Sequence, residues 1–527
     1  MPPSAWAPLA HPMFRALWIA TVVSSIGSWM HEIGAGWLMV TLNPSPVMVS
    51  LVQASTILPI FFLALPAGAL ADIVDRRRYL IAAQSWMLGC AALLAFTTFP
   101  GWTQDWTLLV LTFALGCGNA MLMPAWSATV PQLVPREELP AAVALNSMGI
   151  NLARAVGPAL AGVLVAAAGP APVFLLNAIS FSGVIYVLLR WQRAPQPKPM
   201  YAERFLGALR AGLRYVREAE LLQAVMVRSM VLFFFCSAIW ALLPLVARDS
   251  GGGASAYGTL LACVGVGAVG GALVLPHLRN RLSRDELLRA ATVLCAGALI
   301  AVAIRGSLVV LVPAMLLLGV SWISALSTLH VSAQTSVPAW VRARALSIYL
   351  MGFSAAMAGG SVLWGATAQH WGVPAALMLA AAGAIIGLFA TRRFSLGQQE
   401  ATDPMAPVAW PAPETHGEIE PDRGPVLVTV EYQVAPENAA VFLGEAPGLR
   451  SIRRRDGAFA WGLFEDAAKP GHYLESFLVE SWAEHVRQHE RGTASDRDVN
   501  ERIRKYHIGP EPPQVRHLIA PGPTNDE

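Results

Sequence analysis

GALADIVDRRRYL, residues 68–80, runs from small and apolar residues through two acids, Asp72 and Asp75, straight into Arg76, Arg77 and Arg78. So compact a charge cluster is unusual in a chain of 527 residues of which 13% are charged and 55% are hydrophobic. Soluble globules carry roughly 25% charged residues, and the mean hydropathy here is +0.50. The composition therefore excludes an ordinary soluble globule and points to a membrane protein.

On either side of the cluster the apolar runs approach the roughly 20 residues that a helix needs to cross a bilayer. Twelve such spans are expected, at about 14–42, 46–71, 78–99, 105–131, 139–168, 172–190, 221–247, 255–277, 286–304, 307–335, 342–368 and 373–393. Residues 1–393 hold 24 Lys and Arg against 12 Asp and Glu, a net of +12, whereas residues 394–527 hold 13 against 22, a net of −9. With a cytoplasmic N-terminus, 21 of those 24 basic residues fall at cytoplasmic ends, so the positive-inside rule places both termini in the cytoplasm of a multi-pass cell-membrane protein. Only Arg248 and Arg305 fall outside, and Arg154 lies within a span. No cleaved signal is expected, because the first apolar run continues to about Leu42. The five cysteines sit inside apolar runs without paired spacing and read as small packing residues.

The halves repeat at a constant offset of 203 residues. Gly68-Ala69-Leu70 matches Gly271-Ala272-Leu273, Leu115-Gly116 matches Leu318-Gly319, and Val134-Pro135 matches Val337-Pro338. Gly149, Gly157, Gly162 and Gly169 match Gly352, Gly360, Gly365 and Gly372. Each half has an even number of spans, so the copies share one orientation, the arrangement of transporters whose two bundles rock about a central site. The organisation expected is a six-helix bundle at 1–190, a cytoplasmic linker at 191–220, a second bundle at 221–393, a Pro-rich linker at 394–424 and a cytoplasmic domain at 425–520. In the 191–220 linker Phe205, Leu206, Leu209, Leu213 and Val216 share one helical side, which reads either as a membrane-surface helix or as a solvated linker helix.

The cluster thus falls at the turn between spans 2 and 3, and there it resembles the signature loop of the major facilitator superfamily. Gly68, Leu70, Asp72, Arg76 and Arg77 match that loop, while Asp75 and Ile73 depart from it. The stretches SWMHEIGAGWLMVTL and NLARAVGPALAG are similar to the bacterial exporter branch that contains the enterobactin exporter. The resemblance implies twelve transmembrane helices in two six-helix repeats and a gate latched by Asp72 against the start of span 11, near Val341 to Arg344. Gly68, Asp75, Arg76 and Arg77 belong to the same gating motif, although the arginines serve equally as positive-inside anchors. Independently of the resemblance, a carboxylate at a helix C-terminus opposes the macrodipole, so Asp72 needs a partner or a task.

Ionisable groups inside spans are functional hypotheses by default. His31 and Glu32 in span 1 and Arg154 in span 5 are the coupling candidates, with Glu32 binding and releasing a proton tuned by His31 or Arg154. Their offset partners are uncharged, which confines charged chemistry to the first half. The alternative is a solvated Glu32 and an Arg154 bonded to backbone carbonyls of a helix broken by Gly157, Pro158 and Gly162, residues that resemble the Gly-Pro packing motif of superfamily antiporters. Gln53, Asn119, Asn146, Asn151, Asn177, His330 and Gln334 are the polar candidates for a substrate cavity, each equally explained by an interhelical hydrogen bond.

The tail reads as β-α-β-β-α-β, a ferredoxin-like sheet backed by helices, and resembles the dimeric alpha-beta barrel domains related to antibiotic-biosynthesis monooxygenases. His485 and His489 share a helical face without a third ligand at a telling spacing, so dimerisation or regulation is favoured over metal binding or catalysis. The expectation is a proton-coupled exporter of small amphipathic, siderophore-like or drug-like molecules, working in the bilayer by alternating access, with no cofactor, metal or nucleic-acid partner and no enzymatic activity. Uptake by the same fold, or a membrane-anchored sensor or enzyme-like protein acting through its tail, are the alternatives. No phosphate-binding glycine loop is present for ATP drive.

Overall fold

In the computed structural model the described residues are 6–191, 205–304, 308–338, 341–397, 419–491 and 494–521. Twelve helices among them are long and apolar enough to cross a membrane. Six make the first half: α1 (Pro12–Leu42), α2 (Pro46–Ile73), α3 (Arg76–Thr98), α4 (Asp105–Thr129), α5 (Leu139–Ala168) and α6 (Ala171–Arg190). α7 (Phe205–Glu218) links the halves. The second six are α8 (Glu220–Asp249), α9 (Gly253–Arg279), α10 (Arg284–Ala303), α11 (Leu308–Thr335), α12 (Arg342–Trp371) and α13 (Val373–Ala390). The protein is a multi-pass membrane protein of two six-helix repeats followed by a small α+β domain.

The chain divides into two compact units, one made of the bundles and one made of α7, Ser332–Ile348 and the tail. In the first unit α1 packs on α5 and α6, α2 on α4, and α3 on α4 and α6. Glycines set these approaches, because in lipid the helices are held by close packing rather than by a hydrophobic drive. The offset pairs do matching jobs. A Cβ on Gly116 would stand 2.9 Å from the Thr56 carbonyl of α2, and Gly319 faces the Val264 carbonyl of α9 in the same way. Gly149 lies against Val22 and Trp18 of α1, Gly352 against Met226 and Met230 of α8. Gly157 abuts Trp29 and the Ile26 carbonyl of α1, Gly360 the Phe234 carbonyl of α8. Gly169 and Gly372 each close a helix at positive φ, +77° and +86°, where a side chain would be strained.

Cys236 of α8 and Cys295 of α10 lie side by side, with Cα atoms 6.8 Å apart. One expectation is corrected here: charged chemistry is not confined to the first half, because Arg228, buried in α8, pairs with Asp285 in the first turn of α10. The Asp285 carboxylate also accepts from the Ser395 hydroxyl at 3.1 Å.

In the second unit four strands, β1 (Val426–Gln433), β2 (Ala460–Glu465), β3 (His472–Val479) and β4 (Gln514–Ile519), form an antiparallel sheet in the order β2-β3-β1-β4. With α14 (Ala439–Asp456), α15 (Trp482–Arg491) and α16 (Ala494–Arg504) the arrangement is ferredoxin-like. Strand alternation buries Val430, Tyr432 and Tyr473 against Phe442, Leu449 and Ile503. Into the same interior points Glu475, wholly buried. Arg453 donates to it through Nε at 3.0 Å and Nη2 at 3.3 Å, Tyr432 at 3.1 Å and Trp461 at 3.0 Å. The carboxylate beside it pushes the Arg453 guanidinium further up despite burial, so the guanidinium stays charged.

Within the second unit α7 is not a solvated connector. Gly212, Tyr215 and Val216 are buried and the helix packs on α14. Because removing one partner of a buried pair leaves an uncompensated charge, Glu475→Ala should cost the tail about 3–5 kcal/mol, seen as faster amide hydrogen exchange along β3 in the full-length protein.

Candidate functional site

The faces of α1 decide which of its groups meet. Residues 27, 31 and 34 look toward α6: Gly27 lies against Asn177 and Ser180, Gly34 against Phe174, and the His31 ring sits 4.7 Å from the Phe174 ring. His31 is thereby packed between α1 and α6 and does not pair with Glu32. Trp29, Glu32 and Gly36, spaced i, i+3 and i+7, share another face. Trp29 contacts Gly157 of α5, and the Tyr257 hydroxyl of α9 would lie 3.0 Å from a Cβ on Gly36.

Glu32 stands between these contacts, within electrostatic reach of Arg154 of α5 and of Tyr257. Among the described residues no hydrogen bond or ion pair joins it to Arg154. The Arg154 guanidinium instead lies 5.6 Å from the Trp29 ring centroid, and among the described residues its buried Nε and Nη1 have no hydrogen-bond partner. A cation over an indole face is stabilised by the ring quadrupole, yet its N–H groups stay available to an anion. Tyr257 was not among the residues expected from sequence, since it has no charge to betray it. Only its position on α9 brings it to the site.

α5 and α9 approach closely across the two halves. A Cβ on Gly258 would be 2.6 Å from the Gly162 Cα and 2.6 Å from the Pro158 carbonyl, and one on Gly265 would be 2.6 Å from the Ala155 Cα and 2.7 Å from the Arg154 carbonyl. Gly258 and Gly265 lie i, i+7 on α9, so the seam runs along one stripe and ends at Arg154. The related seam joins α12 to α2, where Gly365 meets Ser50 and Pro46 and the Ser45 hydroxyl donates to Gln369 at 2.9 Å. Both tight zones lie in the half of the bundle away from the turn at 74–75. An apolar cleft of about 520 Å³ beside the second seam is lined by Leu51, Leu58, Val362 and Leu363.

The remaining candidates do not gather here. Asn146 accepts weakly from the Trp126 indole at 3.4 Å, Asn151 donates to the Ser147 carbonyl at 2.9 Å within its own helix, and His330 stacks loosely on Tyr349 at 6.2 Å. Gln53 on α2, Asn119 on α4 and Gln334 near the end of α11 lie on separate helices. Of the gating motif, the Asp72 side chain lies outside the described residues, and among the described residues nothing stands within 4 Å of a Cβ on Gly68. Asp75 is the N-cap of α3, accepting from the Arg78 amide at 2.9 Å. Arg77 donates to the Leu188 carbonyl at 2.7 Å and the Leu189 carbonyl at 2.5 Å, tying α3 to the end of α6. In the tail His485 stacks with Trp482 and His517 at 5.4 and 4.6 Å, the His489 side chain lies outside the described residues, and no group of three metal-ligating side chains occurs among the described residues.

A family model for transmembrane secretion effectors matches residues 3–524. The chain belongs to that family, a branch of the major facilitator superfamily. Over 328 residues it is 25% identical to the staphyloferrin A transporter of Staphylococcus aureus, covering 62% of this chain and 82% of the relative. Over 336 residues it is 26% identical to the enterobactin exporter of Salmonella typhimurium, covering 62% and 79%. The fold is shared with a POT family transporter (TM-score 0.60, 14% identity, 72% of this chain and 95% of that one) and with the nucleoside transporter NupG (TM-score 0.55, 12% identity, 72% and 98%). This member of the family is thus a membrane transporter with a small-molecule substrate.

Gly258→Val should keep the far ends of α5 and α9 apart, since its branches have backbone on every side. Cysteine accessibility at that end should rise several-fold while the helical circular dichroism is unchanged.

Proposed function

We propose that this transporter is a proton-driven exporter that works by alternating access, with both termini cytoplasmic. The observation that carries the reading is the meeting of Glu32, Arg154 and Tyr257 where α1 and α5 of one half touch α9 of the other. Rocking the halves must open the Gly258–Gly162 seam, and the groups at its inner end then change neighbours. A carboxyl that alternates between such surroundings alternates in proton affinity, which is what coupling requires. With the turn at 74–75 on the cytoplasmic side, the closed far end is the outer one.

The substrate reading follows from Arg154. Its free N–H groups beside an indole suit a carboxylate or phenolate attached to an apolar body, and Glu32, once protonated, no longer competes for the guanidinium. Organic chelators of the kind named for the staphyloferrin A transporter and the enterobactin exporter fit that chemistry. Asp72, with Gly68 and Arg76, is assigned to the inner gate. Asp75 and Arg77 support the same turn through the α3 cap and the α6 carbonyls. The helix-free face of the tail sheet leaves Phe464, Leu474 and Leu518 exposed, which supports pairing with a second copy.

In proteoliposomes loaded with a pH dye and offered staphyloferrin A or enterobactin, the parent protein should move protons opposite to the chelator. Glu32→Gln should abolish gradient-driven accumulation and keep exchange, while Arg154→Gln should weaken binding at least tenfold. Accumulation by Glu32→Gln at the parent rate would remove the coupling role.

A further inference from the structure

The reading above leaves the tail without a task. α7 supplies one, because it touches three separate things. It runs through Ala219 into α8, and the Gln223 side chain ties the joint by donating to the Val216 carbonyl at 2.9 Å and the Arg217 carbonyl at 2.5 Å. It crosses the start of α12, where a Cβ on Gly212 would lie 3.0 Å from the Arg344 Cβ and 3.6 Å from Ile348 Cδ1. Tyr215 donates to the Ser336 carbonyl at 3.1 Å, in the turn between α11 and α12. Toward the tail, α7 packs on α14 and Arg214 pairs with Glu484 of α15 at 3.3 Å.

Tyr215 also lies within electrostatic reach of Arg455, Asp456 and Asp496. That cluster is rigid: Arg455 grips Asp496 through two nitrogens, at 3.0 and 2.5 Å, and Asp456 through Nε at 3.0 Å. Such bidentate pairs fix geometry as well as charge. The turn itself is braced, with Val337 and Val341 buried and Arg342 Nε donating to the Val337 carbonyl at 3.3 Å. The equivalent turn of the first half, Val134-Pro135, is covered differently. There the N-terminal segment lies over it, with His11 on Glu138 at 3.1 Å and Phe14 packed with Val130 and Val134.

The geometry points to a gating function for the tail domain: through α7 it grips the α11–α12 turn and holds the inner ends of these helices in the arrangement described. The grip is released when the bundle opens at its far end. This rests on the alternating-access reading and adds the element that biases it. Burial pushes the Tyr215 hydroxyl up to about 12, above the ordinary value of 10.0. The donor therefore stays protonated through the physiological range, and its contribution is complete below pH 10 and fades as pH rises toward 12.

The test uses the full chain with Cys90, Cys117 and Cys263 replaced by serine and spin labels on Leu42→Cys and Trp371→Cys, exposed positions at the far ends of α1 and α12. Pulsed electron-spin distances need no substrate. Tyr215→Phe should raise the ratio of far-end-open to far-end-closed molecules about fivefold, the change expected for one lost hydrogen bond. Gly212→Leu, which forces α7 off α12 without touching a charge, should shift it the same way. Two populations in the parent that both variants leave unchanged would overturn the gating role alone. A single short distance in the parent at every pH and with every chelator would overturn alternating access itself.

Discussion

Backbone against backbone at Gly258 and Gly162 is the contact on which the rest of the bundle depends. Two helices from different halves approach until a single methyl group would not fit between them. In lipid no hydrophobic drive favours such an approach, so dispersion between close-packed backbones must supply it. Small contacts of this kind open and close at little cost because no side chain must repack. A seam of larger interdigitated residues would hold the halves permanently, and a polar one would need partners each time it parted.

The same seam explains why the charged groups sit where they do. Arg154 lies at its inner end, and its own carbonyl faces Gly265 across the seam. Glu32 shares a helical face with Trp29, which meets α5, and with Gly36, which meets the Tyr257 ring of α9. Ionisable groups at this depth are costly anywhere, but any movement of the halves would alter their surroundings directly. His31, one residue away, faces α6 of its own half and gains nothing from such movement. Adjacency in sequence is therefore a poor guide to shared chemistry on a helix, where one step turns the side chain by about 100°.

What was legible in the sequence follows the same logic. The twelve spans and the ferredoxin-like order of the tail were visible because hydropathy and strand alternation are local properties. The register of 203 was visible because glycine cannot be exchanged at a close approach, so Gly157 and Gly360, or Gly116 and Gly319, preserve the same contact in both copies. Pairings across distance were not visible. Arg228 read as a flanking charge because its partner Asp285 is 57 residues away, and nothing in the spacing of Cys236 and Cys295 marks them as neighbours across two helices. The opening cluster was only partly understood: Asp75 had the ordinary signature of an N-cap once α3 was known to start at Arg76, while the carbonyls that Arg77 binds belong to a helix end with no sequence mark.

The amphipathic linker shows how tertiary contact overrides a pattern. Its apolar side suits a bilayer surface as well as it suits a protein, and nothing in the heptad-like spacing distinguishes the two. Two features break the tie. Gly212 is a poor residue for a helix that only needs to float on lipid, but it is suited to the close approach to Arg344 that α7 makes. Tyr215 places a hydroxyl on the buried side, where it donates to the Ser336 carbonyl. An amphipathic helix whose apolar face carries a glycine and a hydroxyl is therefore better read as a docking element, and the polar atom on that face shows where its partner's backbone must lie.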